Sequence, residues 1–307
     1  MRSEAKNLII VLGPTAVGKS ATAIRLAKKF KGEIINCDSM QVYRGFDIGT
    51  DKIQPDRRED IPHHLIDVAD PSEQFTAAEF VRQAMAAVES IRKKRKIPIV
   101  VGGTGLYLKA LLDGLFPEEG KDPKIRDRLE YQAKEMGLDF LRKKLLEVDP
   151  VYAKKIGEKD KVRIIRALEV FTATGKPISD LFKSTKSQVD DFHILKIGLK
   201  LERHAIYEKI EVRVDRMFER GIVKEVRNLL EEGIGPDSPP FRALGYSQVL
   251  KHLNGDLSLE EAIDQAKKET RHYAKRQLTW FRKMTGVSWF SPDDFPAISA
   301  FVKAHLK

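Results

Sequence analysis

Apolar residues follow two rhythms along this chain. In roughly the first hundred residues, short unbroken apolar runs alternate with stretches whose apolar positions recur every three or four residues. Leu8 to Leu12 is such a run, closed by Gly13, and predicts a buried parallel strand. Glu33 to Cys37 predicts a second strand ending at Asp38, and Ile99 to Val101, introduced by Pro98 and closed by Gly102, Gly103 and Thr104, a third. Between them Thr76 and Glu79 have the spacing of a capping box, and Phe80, Ala84, Val88 and Ile91 follow at helical intervals. Strands joined by helices long enough to cross over imply a parallel α/β sheet.

The rhythm changes after Phe116 and Pro117. From Asp122 to about Thr172 only helical periods occur: Ile125, Leu129, Ala133 and Met136, ended by Gly137, then Val162, Ile165 and Leu168. A polar stretch from Ser184 to Asp191 leads to Phe192–Gly198, which reads as a strand again. The economical account is a core formed by residues 1–118 and 191–307, interrupted by a helical insertion at 119–190. Long helices are expected from about Arg203 to Arg220 and from about Ser258 to Met284. The run Arg92 to Lys96 reads as a solvated helix end, where the helix dipole favours cations.

Composition narrows the function classes. With 307 residues, 42% hydrophobic and 33% charged, the chain can bury an ordinary core, which excludes whole-chain disorder. No apolar run approaches the ~18–20 residues of a membrane span. One cysteine, Cys37, can form neither an internal disulfide nor a cysteine-rich metal site. With no signal-peptide pattern at the start, a cytoplasmic location is expected. Against 45 acidic side chains stand 55 basic ones, a net +10 that invites an anionic partner.

The chemistry begins at Gly13, Pro14, Thr15, Ala16, Val17, Gly18, Lys19 and Ser20, which match the P-loop pattern G-x-x-x-x-G-K-[ST] with a strand before and a helix pattern after. Loop amides and a helix N-terminus would face a di- or triphosphate, with Lys19 on its oxygens and Ser20 on Mg²⁺. The expected fold is therefore α/β, a P-loop NTPase-like parallel sheet flanked by helices, with a helical insertion domain. The third strand carries no terminal acid of the Walker B kind. Asp38, at the end of the second strand, is the carboxylate best placed at the sheet's ligand-binding edge, and position alone leaves it as metal holder or general base.

Further segments carry a resemblance. Asp38 to Gly45 with Asp47 to Thr50, His64 to Asp67, Val101 to Tyr107, Arg166 to Val170, Arg213 to Met217, Ala243 to Tyr246 and Arg276 to Arg282 occur in one order with the P-loop. Over essentially its whole length the chain resembles the bacterial tRNA isopentenyltransferase (dimethylallyltransferase) family. The resemblance implies transfer of a dimethylallyl group from dimethylallyl diphosphate to N6 of the adenosine immediately 3′ of the anticodon, in tRNAs reading codons that start with U. The P-loop would then hold the prenyl donor instead of ATP, with Mg²⁺ as cofactor and the tRNA anticodon stem-loop as partner. A monomer without membrane contact is expected. Asp38 would take the N6 proton, Thr104 would lie near the reacting centre, and Arg213 is the preferred second cation for the diphosphate. Ser39, Met40, Gln41 and Tyr43 follow Asp38 near the target nucleotide. The family's tRNA-contact segments fall on Arg126 and on Val162, Arg163, Ile164, Ile165 and Arg166.

Charge supplies another RNA candidate. Lys267, Arg271 and Lys275 repeat every four residues, and seven cations against one acid between Lys267 and Lys283 give a local excess of +6. Arg271 and Lys275 are taken as phosphate contacts; Tyr273, Trp280 and Phe281 are read as core. His63 and His64, adjacent and lacking a third ligand, make a poor metal site. Rival readings are a small-molecule or nucleoside kinase, an isopentenyltransferase acting on free adenine nucleotide, and a nucleotide-gated RNA-binding protein without catalysis. The basic helix and the insertion are surplus to the first two. The complete P-loop with Asp38 argues against the third.

Overall fold

The computed structural model describes residues 6–114, 120, 122–183 and 185–307. In chain order the elements are β1 (Asn7–Leu12), α1 (Lys19–Phe30), β2 (Gly32–Asn36), β3 (His63–His64), α2 (Ala77–Lys93), β4 (Ile97–Gly102) and α3 (Gly105–Asp113). There follow α4 (Pro123–Glu135), α5 (Leu138–Val148), α6 (Pro150–Lys155), α7 (Lys161–Thr174) and α8 (Ile178–Lys183). The chain ends with β5 (His193–Leu199), α9 (Arg203–Glu219), α10 (Ile222–Glu231), α11 (Tyr246–Leu253), α12 (Leu259–Phe281), β6 (Val287–Phe290) and α13 (Phe295–His305). It divides into two compact units, Met1–Lys109 with Asp191–Lys307, and Ala110–Asp190, the division falling within α3. The expected boundary at 118/119, the change of rhythm at Phe116 and Pro117, and Ser184 lie outside the described residues.

The first unit is built on six parallel strands in the order β3-β2-β4-β1-β5-β6. β1 is central, with Ile9 opposite both Ile99 of β4 and Leu195 of β5. Covering both faces of these strands explains why they read as continuous apolar runs. On one face Ile9, Val11, Ile99, Val101, Leu195 and Ile197 pack with Ile24 and Leu26 of α1 and Ile298 and Val302 of α13. Leu8, Ile10 and Leu12 point to the other face and are fully buried, as are Phe80, Val88 and Ile91 of α2. Because β2, β4 and β1 are parallel neighbours, the loops after them emerge at one edge. Those loops carry Asp38, Thr104 and the P-loop.

Two joints hold that edge. Cys37 N–H donates to Val101 O at 2.7 Å, and Thr104 N–H to Cys37 O at 3.3 Å. A Cβ at Gly102 would lie 2.0 Å from Cys37 O, so only glycine permits the β2 and β4 ends to come this close. Cys37 itself is fully buried, and burial pushes its thiol well above the ordinary range.

Several local readings change. Thr76 caps α2 by accepting Glu79 N–H at 3.2 Å, but the Glu79 carboxylate bonds Arg82 and Gln83, so the box is half formed. His63 and His64 form a short edge strand paired with Ile34 and Ile35 of β2. His64 bonds buried Glu33 at 2.8 Å, and Lys94 and Lys96 complete that carboxylate's partners at 3.2 and 2.9 Å. Burial raises the Glu33 pKa, but these hydrogen bonds outweigh it and hold the group at about 2. The Arg92–Lys96 run thus sends two of its lysines, Lys94 and Lys96, onto a core carboxylate. Tyr43 is buried and its hydroxyl accepts Phe75 N–H at 3.0 Å, which makes it core.

The second unit is all helix among its described residues. Leu129, Leu141, Leu145, Ile164, Ile165 and Leu168 form its centre. Gly137 at φ 84° ends α4 and begins α5, and Asp149 Oδ1 caps α6 by accepting Tyr152 N–H at 2.9 Å. No described helix is long and apolar enough to cross a membrane.

Candidate active site

The P-loop joins β1 to α1. The first residue of α1 is Lys19, and its Gly18 cap offers no side-chain acceptor, leaving the first-turn amides for an anion. Val17 is fully buried, so it can offer a ligand only backbone; Ser20 is exposed. Lys19 Nζ donates to Pro14 O at 2.7 Å and lies across the loop. Its pKa is lowered to about 8, first by burial and then by the neighbouring Arg213, with Asp38 and Cys37 acting the other way.

Arg213 reaches the loop from α9. It donates to Thr15 Oγ1 at 3.0 Å and Thr50 O at 3.3 Å, and its Nε lies 3.4 Å from Asp51. Asp38 Oδ1 accepts Met40 N–H at 2.9 Å and Gln41 N–H at 3.4 Å, which fixes the turn; Oδ2 makes no hydrogen bond among the described residues. Behind it Thr104 Oγ1 accepts Ser39 N–H at 3.0 Å and donates towards Ser39 Oγ at 3.4 Å. Thr104 thus lies against the residue that follows Asp38, its hydroxyl bonded to Ser39.

Two cavities meet here. The larger, 920 Å³, runs from the P-loop past Gln41 to Arg57, Lys209, Arg216 and Arg220. Seven lysines and arginines against four carboxylates make its wall cationic. The smaller, 330 Å³, is bounded by Ser39, Met40, Arg242 and Arg276. Thr15, Asp38, Arg213, Met217 and Tyr273 border both. The arrangement puts one carboxylate between an anion-binding chamber and a second chamber of mixed polarity.

Gln277 and Tyr273 belong to this site and were missed. Gln277 Oε1 accepts Thr15 N–H at 2.8 Å while its Nε2 donates to Gly103 O at 2.8 Å, joining the P-loop to the β4 loop. The available signal was a glutamine in the buried stripe Ala262, Ala266, Thr270, Ala274 and Phe281 of α12.

The basic row on α12 is less available than its count suggests. Lys267 pairs with Asp215 at 2.7 Å and Arg271 with Glu211 at 2.9 Å, both acids on α9; Lys275 is exposed without an ion pair among the described residues. In the helical unit Ile164 and Ile165 are buried and so are core, not contact side chains, whereas Val162 is 66% exposed. Arg163 pairs with Asp160 at 2.8 Å. Arg166 and Arg126 lie 2.9 and 3.7 Å from buried Glu169.

A family model described as IPP transferase matches residues 41–284. The chain is 47% identical over 293 residues to tRNA dimethylallyltransferase 2 of Geotalea uraniireducens, covering 95% of this chain and 94% of that one. It is 46% identical over 286 residues to tRNA dimethylallyltransferase of Carboxydothermus hydrogenoformans, covering 93% and 92%. Among solved structures, the full-length tRNA isopentenylpyrophosphate transferase of Bacillus halodurans is 39% identical with a TM-score of 0.73, over 98% of this chain and 97% of that one. A eukaryotic dimethylallyltransferase acting on tRNA is 33% identical with a TM-score of 0.83, over 97% of this chain and 78% of that one.

Proposed function

This chain belongs to the IPP transferase family, and from that premise we propose that it transfers a dimethylallyl group from dimethylallyl diphosphate to N6 of the adenosine 3′-adjacent to the anticodon in tRNAs reading codons that start with U. The observation that carries the reading is the place of Asp38. It borders both cavities, next to the P-loop, with a carboxylate oxygen that makes no hydrogen bond among the described residues.

The donor's diphosphate occupies the P-loop end of the larger cavity, held by the loop amides, Lys19 and Arg213. The target adenine enters the smaller cavity beside Ser39 and Met40. An adenine amine is a poor nucleophile, because its lone pair is delocalised into the ring. As N6 forms its bond to the allylic carbon, the carbon–oxygen bond to diphosphate breaks and Asp38 accepts the N6 proton. The growing charge on the departing diphosphate is met by Lys19 and Arg213 in a shielded site. Ser20 fits Mg²⁺: its hydroxyl is exposed at the start of α1 and borders the larger cavity. No described cluster of three metal-ligating side chains competes for the ion. Mg²⁺ commonly takes few protein oxygens and completes its shell with phosphate and water. When bound there with the donor, it would neutralise part of the diphosphate charge.

The helical unit and α12 supply RNA contacts through Val162, Arg163, Lys275 and Arg276. The decisive experiment offers purified protein radiolabelled dimethylallyl diphosphate or ATP, with unmodified tRNA, AMP or no acceptor. Label should move from the prenyl donor to tRNA alone. Transfer to AMP, or phosphorylation from ATP, would overturn the reading.

A further inference from the structure

Loop residues Asp47 to Asp51 separate the two cavities: Gly49 and Thr50 border the smaller, and Asp51 the larger. The same loop sets Arg213. Thr50 O accepts both Arg213 Nη2 at 3.3 Å and Gln41 Nε2 at 3.1 Å, and the Asp51 carboxylate lies against Arg213 Nε. Moving the loop moves the guanidinium away from Thr15 and the phosphate-binding turn.

Three consecutive amides of this loop are held by two side chains distant in sequence. Glu225 of α10 accepts Ile48 N–H at 2.8 Å and Asp47 N–H at 3.2 Å. Tyr246, at the start of α11, accepts Gly49 N–H at 3.1 Å on its hydroxyl and donates that hydroxyl's proton to Glu225. The Tyr246 ring is fully buried against Phe46 and Phe241 and has no freedom to follow a displaced loop. The contact has no slack: a Cβ at Gly49 would lie 2.5 Å from the Tyr246 ring and 2.7 Å from Ile222. Glu225 is raised by burial, a cost that its accepted hydrogen bonds partly offset. Neither Glu225 nor Tyr246 borders either of these two cavities, so neither would touch a substrate occupying them.

We propose that Glu225 and Tyr246 are positioning residues for the transfer, fixing the Asp47–Asp51 loop so that Arg213 meets the donor's diphosphate. The proposal rests on the reading that the larger cavity takes the prenyl donor.

The test uses Tyr246→Phe, Glu225→Gln and Gly49→Ala, each in the wild-type and Arg213→Ala backgrounds. Steady-state transfer is measured with donor and tRNA varied separately, and inorganic pyrophosphate binding by calorimetry. Tyr246→Phe removes two hydrogen bonds, the one accepted from Gly49 N–H and the one donated to Glu225, and should raise the donor KM about tenfold, with a matching loss of pyrophosphate affinity and a tRNA KM changed by less than about twofold. Gly49→Ala displaces the loop with both side chains intact; because Gly49 also borders the smaller cavity, this variant is read by pyrophosphate affinity alone, which should fall as in Tyr246→Phe. In the Arg213→Ala background these effects should vanish, since no guanidinium is left to place. Losses that multiply with Arg213→Ala, or that raise the tRNA KM equally, would reduce the pair to scaffolding and overturn the proposal. If Glu225→Gln fails to fold, the other two variants still decide. Wild-type protein that binds pyrophosphate but transfers no prenyl group would instead overturn the functional reading, while the binding cycle would still test the positioning pair.

Discussion

The cleft of the α/β unit and the arginine cluster of the helical unit use similar residues in opposite ways. Around the P-loop, cations outnumber the carboxylates that border the same cavity, and Lys19 contacts only a backbone carbonyl. In the helical unit Arg126 and Arg166 converge on Glu169, a carboxylate only 2% exposed, and Arg163 lies on Asp160. In the cleft, surplus positive charge costs folding free energy and is available to a ligand. In the helical unit these three arginines already lie on acids: Arg126 of α4 reaches Glu169 of α7, and Arg163 and Arg166 pair one turn away along α7. A local excess of arginine therefore identifies an anion site only after the acids of neighbouring helices have been counted.

The largest effect should come from Asp38, the carboxylate that borders both cavities. Asp38→Ala should slow prenyl transfer by roughly 10²–10⁴-fold, the usual contribution of a positioned base, while tRNA affinity stays near wild type. Single-turnover transfer with tRNA in excess would measure this. A near-normal rate would place the base elsewhere.

Next comes Lys19. Lys19→Ala should weaken the donor and slow transfer, with a combined loss of about 10²-fold, because a charge-assisted contact disappears from a shielded site. The wild type carries a pH signature of the same group. Burial, with Arg213 beside it, brings Lys19 to about 8, so the free site loses its ammonium as pH rises through that value. Donor affinity should fall on the alkaline side and hold steady below it. A donor KM flat between about pH 7 and 9.5 would contradict this.

The helical unit should answer in stability first. Arg166→Ala removes the nearest partner of buried Glu169 and should destabilise the protein by about 1–3 kcal/mol, whereas Arg163→Ala, an exposed pair, should change stability little. Thermal melts beside tRNA titrations separate the roles. An Arg166→Ala protein with normal melting and weak tRNA binding would make that arginine an RNA contact and erase the contrast with the cleft.

The smallest effect lies on α12. Lys275→Ala should flatten the salt dependence of tRNA binding by a slope of roughly 0.7–0.9, the share of one phosphate contact. Lys267→Ala, whose ammonium already faces Asp215 at 2.7 Å, should leave the slope unchanged. Equal slopes for both variants and wild type would remove this helix from the RNA surface.

How much could be read in advance followed the range of the interactions. Runs such as Leu8–Leu12 and the P-loop pattern are local, and they placed β1, α1 and the loop between them. His63 and His64 form a strand only because Ile34 and Ile35 of β2 pair with them, and nothing in two histidines encodes that. Gln277 reads as an ordinary polar helix residue until Thr15 and Gly103 are seen against it. Ile164 and Ile165 came in with an RNA-contact segment, yet helical periodicity turns them inward while Val162 and Arg163 point out. That Lys267 and Arg271 of the positive row on α12 have ion-pair partners could not be read in advance, because Asp215 and Glu211 lie more than a helix away in sequence.

The position of β1 also sets the order in which the molecule can assemble. This first strand is the middle of the sheet, and its partner on one side, β5, begins only at His193. During synthesis β1 must wait, with one edge unpaired, while every helix of the second unit is made. Those helices have sequence-local partners and can close early; the sheet, rich in distant pairings, closes late. In pulse-labelling hydrogen exchange, amides of α4, α5 and α7 should gain protection before those of β1 and β5, and simultaneous protection would refute that order. A strand that waits exposed is also where a chaperone would bind and where a truncated chain would aggregate.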